Sequence, residues 1–289
     1  MPATCFIAAD VGNARIKLGL FAGDCAVGLP EPVQTMALVG DEPELDQIET
    51  WLECRRHTPC AVPLPAHGVC GLHWWLASVN RPAATRLIDW LKRRRPADRI
   101  TLLAAGDLPL EVRLERPDMV GIDRLVDAVA VNRLRDAGRA AVIVDVGTAI
   151  TVDLVSADGA FLGGAILPGI QMAARAMHEF TDLLPLVDTS ELSEPPPALG
   201  TATIPAMQSG LFWGTVGAIR QLIERLGETA SGVQPQRPQV FLTGGAGAVV
   251  AELLGPEAQN VPNLTLSGIA LAAAVEFNKQ WSPLPPGEG

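Results

Sequence analysis

The chain has 289 residues, a formal net charge of -10 at neutral pH, 48% hydrophobic and 19% charged residues. This length exceeds what one ordinary core serves, so two domains are expected, and the apolar content excludes a disordered chain. The negative charge disfavours a nucleic-acid partner, no apolar run reaches the ~18 residues that span a bilayer, and residues 1–12 lack the basic start of a secretory leader; a cytoplasmic protein with no membrane or nucleic-acid partner is expected.

Residues 5–9 and 15–21 read as two strands, the second alternating Ile16, Leu18 and Leu20 with Arg15, Lys17 and Gly19, joined by the turn "DVGN". Helices are expected over 44–56 and 81–95, with a buried strand ending at Ser78 between them. The short basic cluster at 91–99 reads as a solvated helix end. A helical pattern over 118–137 places Asp123 and Arg124 in its first turn or just before it. Strands then follow at 140–145, 150–156 and 160–166, leading through "LPG" into a helix at 169–180. A Pro-rich loop precedes a long helix from about 204 to 229. The segment "PQVFLTGGAGAVVAELLG" reads as strand, Gly-rich turn and helix, and "LSGIALAAAVEFNKQ" as a closing helix before a frayed tail, "SPLPPGEG".

The pentapeptide Asp-Val-Gly-(Asn/Thr)-Ala occurs twice, at 10–14 and 145–149. Each copy lies between strand-forming runs, so the chain reads as an internal duplication with halves 1–136 and 137–289, related α/β domains facing each other across a cleft. An Asp at a strand end followed by Gly offers a carboxylate to a metal ion and unshielded amides to a phosphate; a single copy is more simply a tight turn capped by its own Asp, and the second copy shifts the balance. "TGGAG" at 243–247 suits a nucleotide contact at a helix start, or close strand–helix packing. In "GIDR", 121–124, Asp123 is placed to deprotonate an alcohol and Arg124 to hold a carboxylate or phosphate; the alternative is a helix start stabilised by Asp beside a solvated Arg.

Five cysteines, at 5, 25, 54, 60 and 70, are odd in number and uneven, as expected of reduced thiols. Cys54, His57, Cys60, His67, Cys70 and His73 crowd into twenty residues, but their spacing matches no standard zinc finger and a surface loop is the simpler expectation.

The ordered set "DVGNARIK", "SVN", "GIDR", "DVGTAITVD", "GGAILPG", "TDLLP", "AMQSG", "TGG" and "LTLSGIALA" resembles the type III pantothenate kinases of the actin, acetate kinase and sugar kinase superfamily. The resemblance implies two ribonuclease-H-like (actin-like ATPase) domains, each a mixed sheet flanked by helices. It further implies a homodimer and ATP-dependent phosphorylation of pantothenate in coenzyme A biosynthesis, with Mg2+ and a monovalent cation, K+ or NH4+. Carried over by position, Asp10, Gly12, Asn13, Lys17 and Thr148 contact ATP, with Asp10 also addressing magnesium. Asp145 takes the monovalent cation, Asp123 is the catalytic base, and Gly121, Ile122, Asp123, Arg124 and Thr181 bind pantothenate.

Three departures stand out. Ala14 replaces the family's usual Thr or Ser, Ala202 its commoner Asn, and the chain has no Tyr to place over pantothenate. Each lost hydroxyl contact is worth roughly 0.5–1.5 kcal/mol, which weakens substrate affinity rather than changing the reaction. Two other readings stay open at this point: a non-catalytic nucleotide- or pantothenate-binding regulator, and a phosphotransferase of the same superfamily with another acceptor.

Overall fold

A computed structural model describes residues 5–22, 28–40, 43–54, 71–188, 194–230 and 237–281. The expected frayed tail and four of the six Cys/His positions, 57, 60, 67 and 70, lie outside them.

The first unit comprises Met1–Leu110, Arg116–Leu134 and Thr265–Gly289. Its sheet is built from β1 (Cys5–Val11), β2 (Arg15–Ala22), β3 (Gln34–Val39), β4 (His73–Ser78) and β5 (Arg99–Leu102). The strand order is β3-β2-β1-β4-β5. The first two pairings in the chain are antiparallel hairpins, whereas β4 joins β1, and β5 joins β4, in parallel. Parallel strands need long crossovers, and helices supply them. These are α1 (Gln47–Cys54) and α2 (Arg81–Arg94). Alternate residues of β1 and β2, namely Ile7, Ala9, Val11, Ile16, Leu18 and Leu20, pack against Ile48 and Trp51 of α1 and Leu87 and Leu91 of α2. At about 2 kcal/mol per fully buried large aliphatic side chain, this layer is a main source of the unit's stability.

The opposite face of that sheet meets α3 (Ile122–Leu134) and α7 (Leu264–Trp281), the final helix. A Cβ at Gly19 would stand 3.1 Å from Leu266 of α7, and a Cβ at Gly268 would overlap the Val126 carbonyl of α3. Two small residues therefore let the C-terminal helix lie close to both the sheet and α3.

The second unit comprises Glu111–Glu115 and Arg135–Leu264. It contains β6 (Ala141–Val146), β7 (Ala149–Val155), β8 (Phe161–Pro168), α4 (Ile170–Glu179), α5 (Thr203–Ala230), β9 (Gln239–Gly244), α6 (Gly247–Leu254) and β10 (Ala258–Asn260). Its order, β10-β9-β6-β7-β8, with two antiparallel hairpins followed by two parallel additions, repeats the first sheet strand for strand. Val142, Val144, Val146, Ile150 and Val152 pack on Phe212, Val216 and Ile219 of α5 and Val250 of α6. The expected duplicated fold, two mixed sheets each flanked by helices, is the one observed. The contiguous halves expected from the repeat differ from these compact units, because the last helix packs with the first sheet and 111–115 with the second.

The basic cluster at 91–99 is the exposed helix end expected, with Lys92, Arg93, Arg94 and Arg99 all exposed. Arg94 donates to Glu49 of α1 at 2.8 Å, and Arg95 pairs with Asp98. Asp98 in turn accepts from Trp74 Nε1 at 2.7 Å and the Leu72 amide at 3.0 Å, so the cluster ties helix ends to the sheet.

Candidate active site

In the first unit the polar residues gather at the carboxyl end of β1. Asp10 is opposite Lys17 in the antiparallel ladder, which puts both side chains on one face of the sheet. The turn that follows is closed by the Gly12 amide donating to the Arg15 carbonyl at 3.1 Å, with Asn13 exposed at its tip. "SVN" locks this turn to its neighbours. The Val79 amide donates to Val11 O at 3.2 Å, Ser78 Oγ donates to Asn80 O at 3.1 Å, and Asn80 Oδ1 caps α2 by accepting from the Ala83 amide at 3.0 Å.

Val79 also adjoins the start of α3, where its Cγ1 would lie 3.4 Å from a Gly121 Cβ. "GIDR" is thereby brought to the same end of the unit as the Asp10 turn. A Gly121 Cβ would also stand 2.5 Å from Asp123 Oδ1, so Gly is needed to leave room for that carboxylate. Asp123 Oδ1 accepts from the Arg124 amide at 2.8 Å. Burial pushes the Asp123 carboxyl above its usual range, against the opposing pull of that amide and of the Arg124 charge. A carboxylate raised in this way is a better proton acceptor at neutral pH than an exposed one. Ile122, by contrast, is buried with the core.

On the α2 side of the hairpin a cavity of about 240 Å3 is lined by Gly12, Asn13, Arg15, Asn80, Ala83 and Arg86. Two arginines lining one hollow had no signal in the linear sequence, because Arg15 lies on β2 and Arg86 on α2.

In the second unit Asp145 occupies the place on β6 that Asp10 holds on β1. Its Oδ1 lies 3.6 Å from the position of a Gly147 Cβ, and also stands where a Gly244 Cβ would be, with Val146 O at 2.5 Å from that same position. Gly244 has φ +91°, the left-handed region that favours Gly. Thr148 lies in the turn, backed by the Gly169 amide donating to Thr148 O at 3.0 Å. "GGAILPG" thus closes onto this turn as well as starting α4. Thr181 is elsewhere. It follows the far end of α4, a ten-residue helix about 15 Å long that starts after Gly169, and its Oγ1 donates to Met177 O at 2.7 Å. The structure therefore brings Asp10, Gly12, Asn13, Lys17 and residues 121–124 to one end of the first unit, and Asp145 with Thr148 to the equivalent end of the second. It does not bring Thr181 to the Thr148 turn.

His73, the described side chain of the Cys/His window, stacks on Trp75 with centroids 4.4 Å apart and shares a 2.8 Å hydrogen bond with Thr101 Oγ1. No group of three or more His, Cys, Asp or Glu suited to a metal ion occurs among the described residues.

The profile of the type III pantothenate kinases matches residues 6–225. Proteins of that name from Dehalococcoides mccartyi and Paramagnetospirillum magneticum are each 32% identical to the chain, over 92% and 96% of it and 95% and 97% of their own lengths. The chain belongs to the type III pantothenate kinase family. A further relative, type III pantothenate kinase 1 of Symbiobacterium thermophilum, is 34% identical over 92% of this chain and 94% of its own. A solved structure of a putative 2-dehydro-3-deoxygalactonokinase protein from Sinorhizobium meliloti aligns with TM-score 0.51 at 14% identity, covering 94% of this chain and 99% of that one. At that identity the likeness concerns the fold alone. The "GIDR" and Asp-Val-Gly turns of this chain fall within the matched region.

Proposed function

We propose that the chain phosphorylates pantothenate to 4'-phosphopantothenate with ATP, opening coenzyme A biosynthesis, with Asp123 as the base. The observation that carries this assignment of roles is the partly buried Asp123 at the start of α3, at the same end of its unit as the Asp10–Gly12–Asn13 turn. A binding-only regulator has no use for a desolvated carboxylate beside a guanidinium, and membership of a kinase family disfavours that reading further.

In this reading the hydroxyl oxygen of pantothenate forms a bond to the γ-phosphorus as the bond from that phosphorus to the ADP oxygen breaks. The hydroxyl proton passes to Asp123, late in a loose transition state. Arg124 orients the pantothenate carboxylate with its planar fork. Lys17 and the amides of Gly12 and Asn13 steady the transferred group, and Thr148 is assigned to the nucleotide. Thr181 is assigned to pantothenate through the family resemblance alone. The Asp10 carboxylate, a hard oxygen donor at a strand end, suits Mg2+ directly or through water. Magnesium, when bound, neutralises charge on the phosphates. Asp145, cradled by Gly147 and Gly244, suits a monovalent cation, K+ or NH4+.

The exposed apolar side chains around α4 and α5, including Phe180, Leu183 and Leu199, favour a homodimer. We read the two halves, joined near 136/137, as products of one duplication. Among the described residues no helix is long and apolar enough to cross a membrane. A cytoplasmic site of action without nucleic-acid partners is part of the same proposal, supported by the charge of -10.

The test is Asp123→Asn assayed for phosphopantothenate with ATP, Mg2+ and K+. A fall in kcat of about 100- to 10,000-fold is expected. In the wild type, kcat/KM should fall on the acid side as Asp123 takes up a proton, at a pH above the ordinary Asp value of about 3.9. Full activity in Asp123→Asn would remove Asp123 as the base.

A further inference from the structure

The two sheets repeat each other strand for strand, yet their hairpins differ by one residue. Val11 pairs with Ile16, leaving four residues in the first turn; Val146 pairs with Ile150, leaving three in the second. Counting from the repeated Asp would match Thr151 with Ile16. The register instead matches it with Lys17, because Asp10 faces Lys17 and Asp145 faces Thr151. On the other flank, Asp10 is beside Ala77 of β4 and Asp145 beside Thr243 of β9. The first half thus carries an ammonium next to its carboxylate. The second carries two hydroxyls.

Thr243 is 1% exposed, and its Oγ1 has no hydrogen-bond partner among the described residues. Leaving a buried hydroxyl unsatisfied is costly, so its presence at this point calls for a ligand. Gly244, the next residue, leaves open the space beside Asp145 Oδ1 and Val146 O that a Cβ would fill. As its register neighbours Asp145 has the hydroxyls of Thr151 and Thr243, where Asp10 has Lys17 and Ala77. Neutral hydroxyl and carbonyl oxygens around one carboxylate suit a large, weakly hydrated monovalent cation.

We infer that Thr243, flanking Asp145 opposite Thr151, is a ligand of the monovalent cation, and that the cation takes the electrostatic place of Lys17 in the second copy of the repeat. The inference rests on the assignment of Asp145 to that cation and adds the residues that complete the site.

Thermal unfolding of the whole chain in KCl and in tetramethylammonium chloride at equal ionic strength tests it without an activity assay. The wild type should gain about 3 °C or more in Tm from potassium. Thr243→Val, isosteric and without the hydroxyl, should lose most of that gain yet be at least as stable as the wild type in tetramethylammonium. Thr243→Ser should keep the gain, which separates the hydroxyl from mere packing. If Thr243→Val responds to potassium as the wild type does while Asp145→Asn does not, the role of Thr243 is overturned and the Asp145 assignment stands. No potassium gain in the wild type overturns both.

Discussion

Asp123 and His73 are both partly buried, and desolvation favours the neutral form of each. One pKa therefore moves up and the other down. For His73 burial is the larger cause and the charge of Arg99, its register partner on β5, the smaller. Because the folded pKa is depressed below the unfolded value of about 6.5, the unfolded chain binds the proton more readily. His73 then contributes stability above about pH 6.5 that is lost as pH falls through the folded value. Urea unfolding midpoints should rise between about pH 5 and 7 in the wild type, and less steeply in His73→Phe. Equal slopes would show that His73 does not govern this window. The stack on Trp75 and the bond to Thr101 already account for this histidine structurally, without a metal.

At the scale of elements, the contact of α3 with α7 sets how firmly the Asp123 turn is held. Gly268 permits it, since any Cβ there would enter the space of the Val126 carbonyl, a backbone atom that cannot swing aside. Gly268→Ala should cost about 1–3 kcal/mol, seen as a lower Tm, by forcing the two helices apart. An unchanged Tm would mean that the close approach is dispensable. The elements absent from the sequence reading share one property: β3, β5 and β10 are all edge strands. Edge strands are paired on one side only, and their patterns are correspondingly weak. The β3 residues alternate between partial and full exposure except at Leu38, and β10 has three residues. The central strands β1 and β6 are buried almost throughout, and read clearly as apolar runs.

At the scale of the molecule, the second unit leaves Phe180 84%, Leu183 86% and Leu199 79% exposed. All three lie in the segments that follow α4 and precede α5, two helices that pack on each other. Those segments are tied back to the helices by His178 Nδ1, which shares a 2.8 Å hydrogen bond with Leu184 O, and by Trp213 Nε1, which donates to Pro196 O at 2.9 Å. Apolar side chains held outward in this way gain by burial against a second copy, at roughly 25 cal/mol per Å2 of apolar surface. Light scattering after size exclusion should report a dimer for the wild type and a shift to monomer for Phe180→Asp combined with Leu183→Asp. A monomeric wild type would refute the dimer.

The sequence by itself determined the central strands, the long helices, the repeated turn and the family, because apolar periodicity, turn residues and short motifs are local properties of the chain. Only the tertiary structure decided that Gly121 and Val79 bring "GIDR" to the first turn, that Lys17 rather than Ile16 answers to Thr151, and that the last helix packs with the first sheet. These depend on strand register and on which surfaces meet, and one residue more or less in a turn moves a side chain to the other face of its sheet.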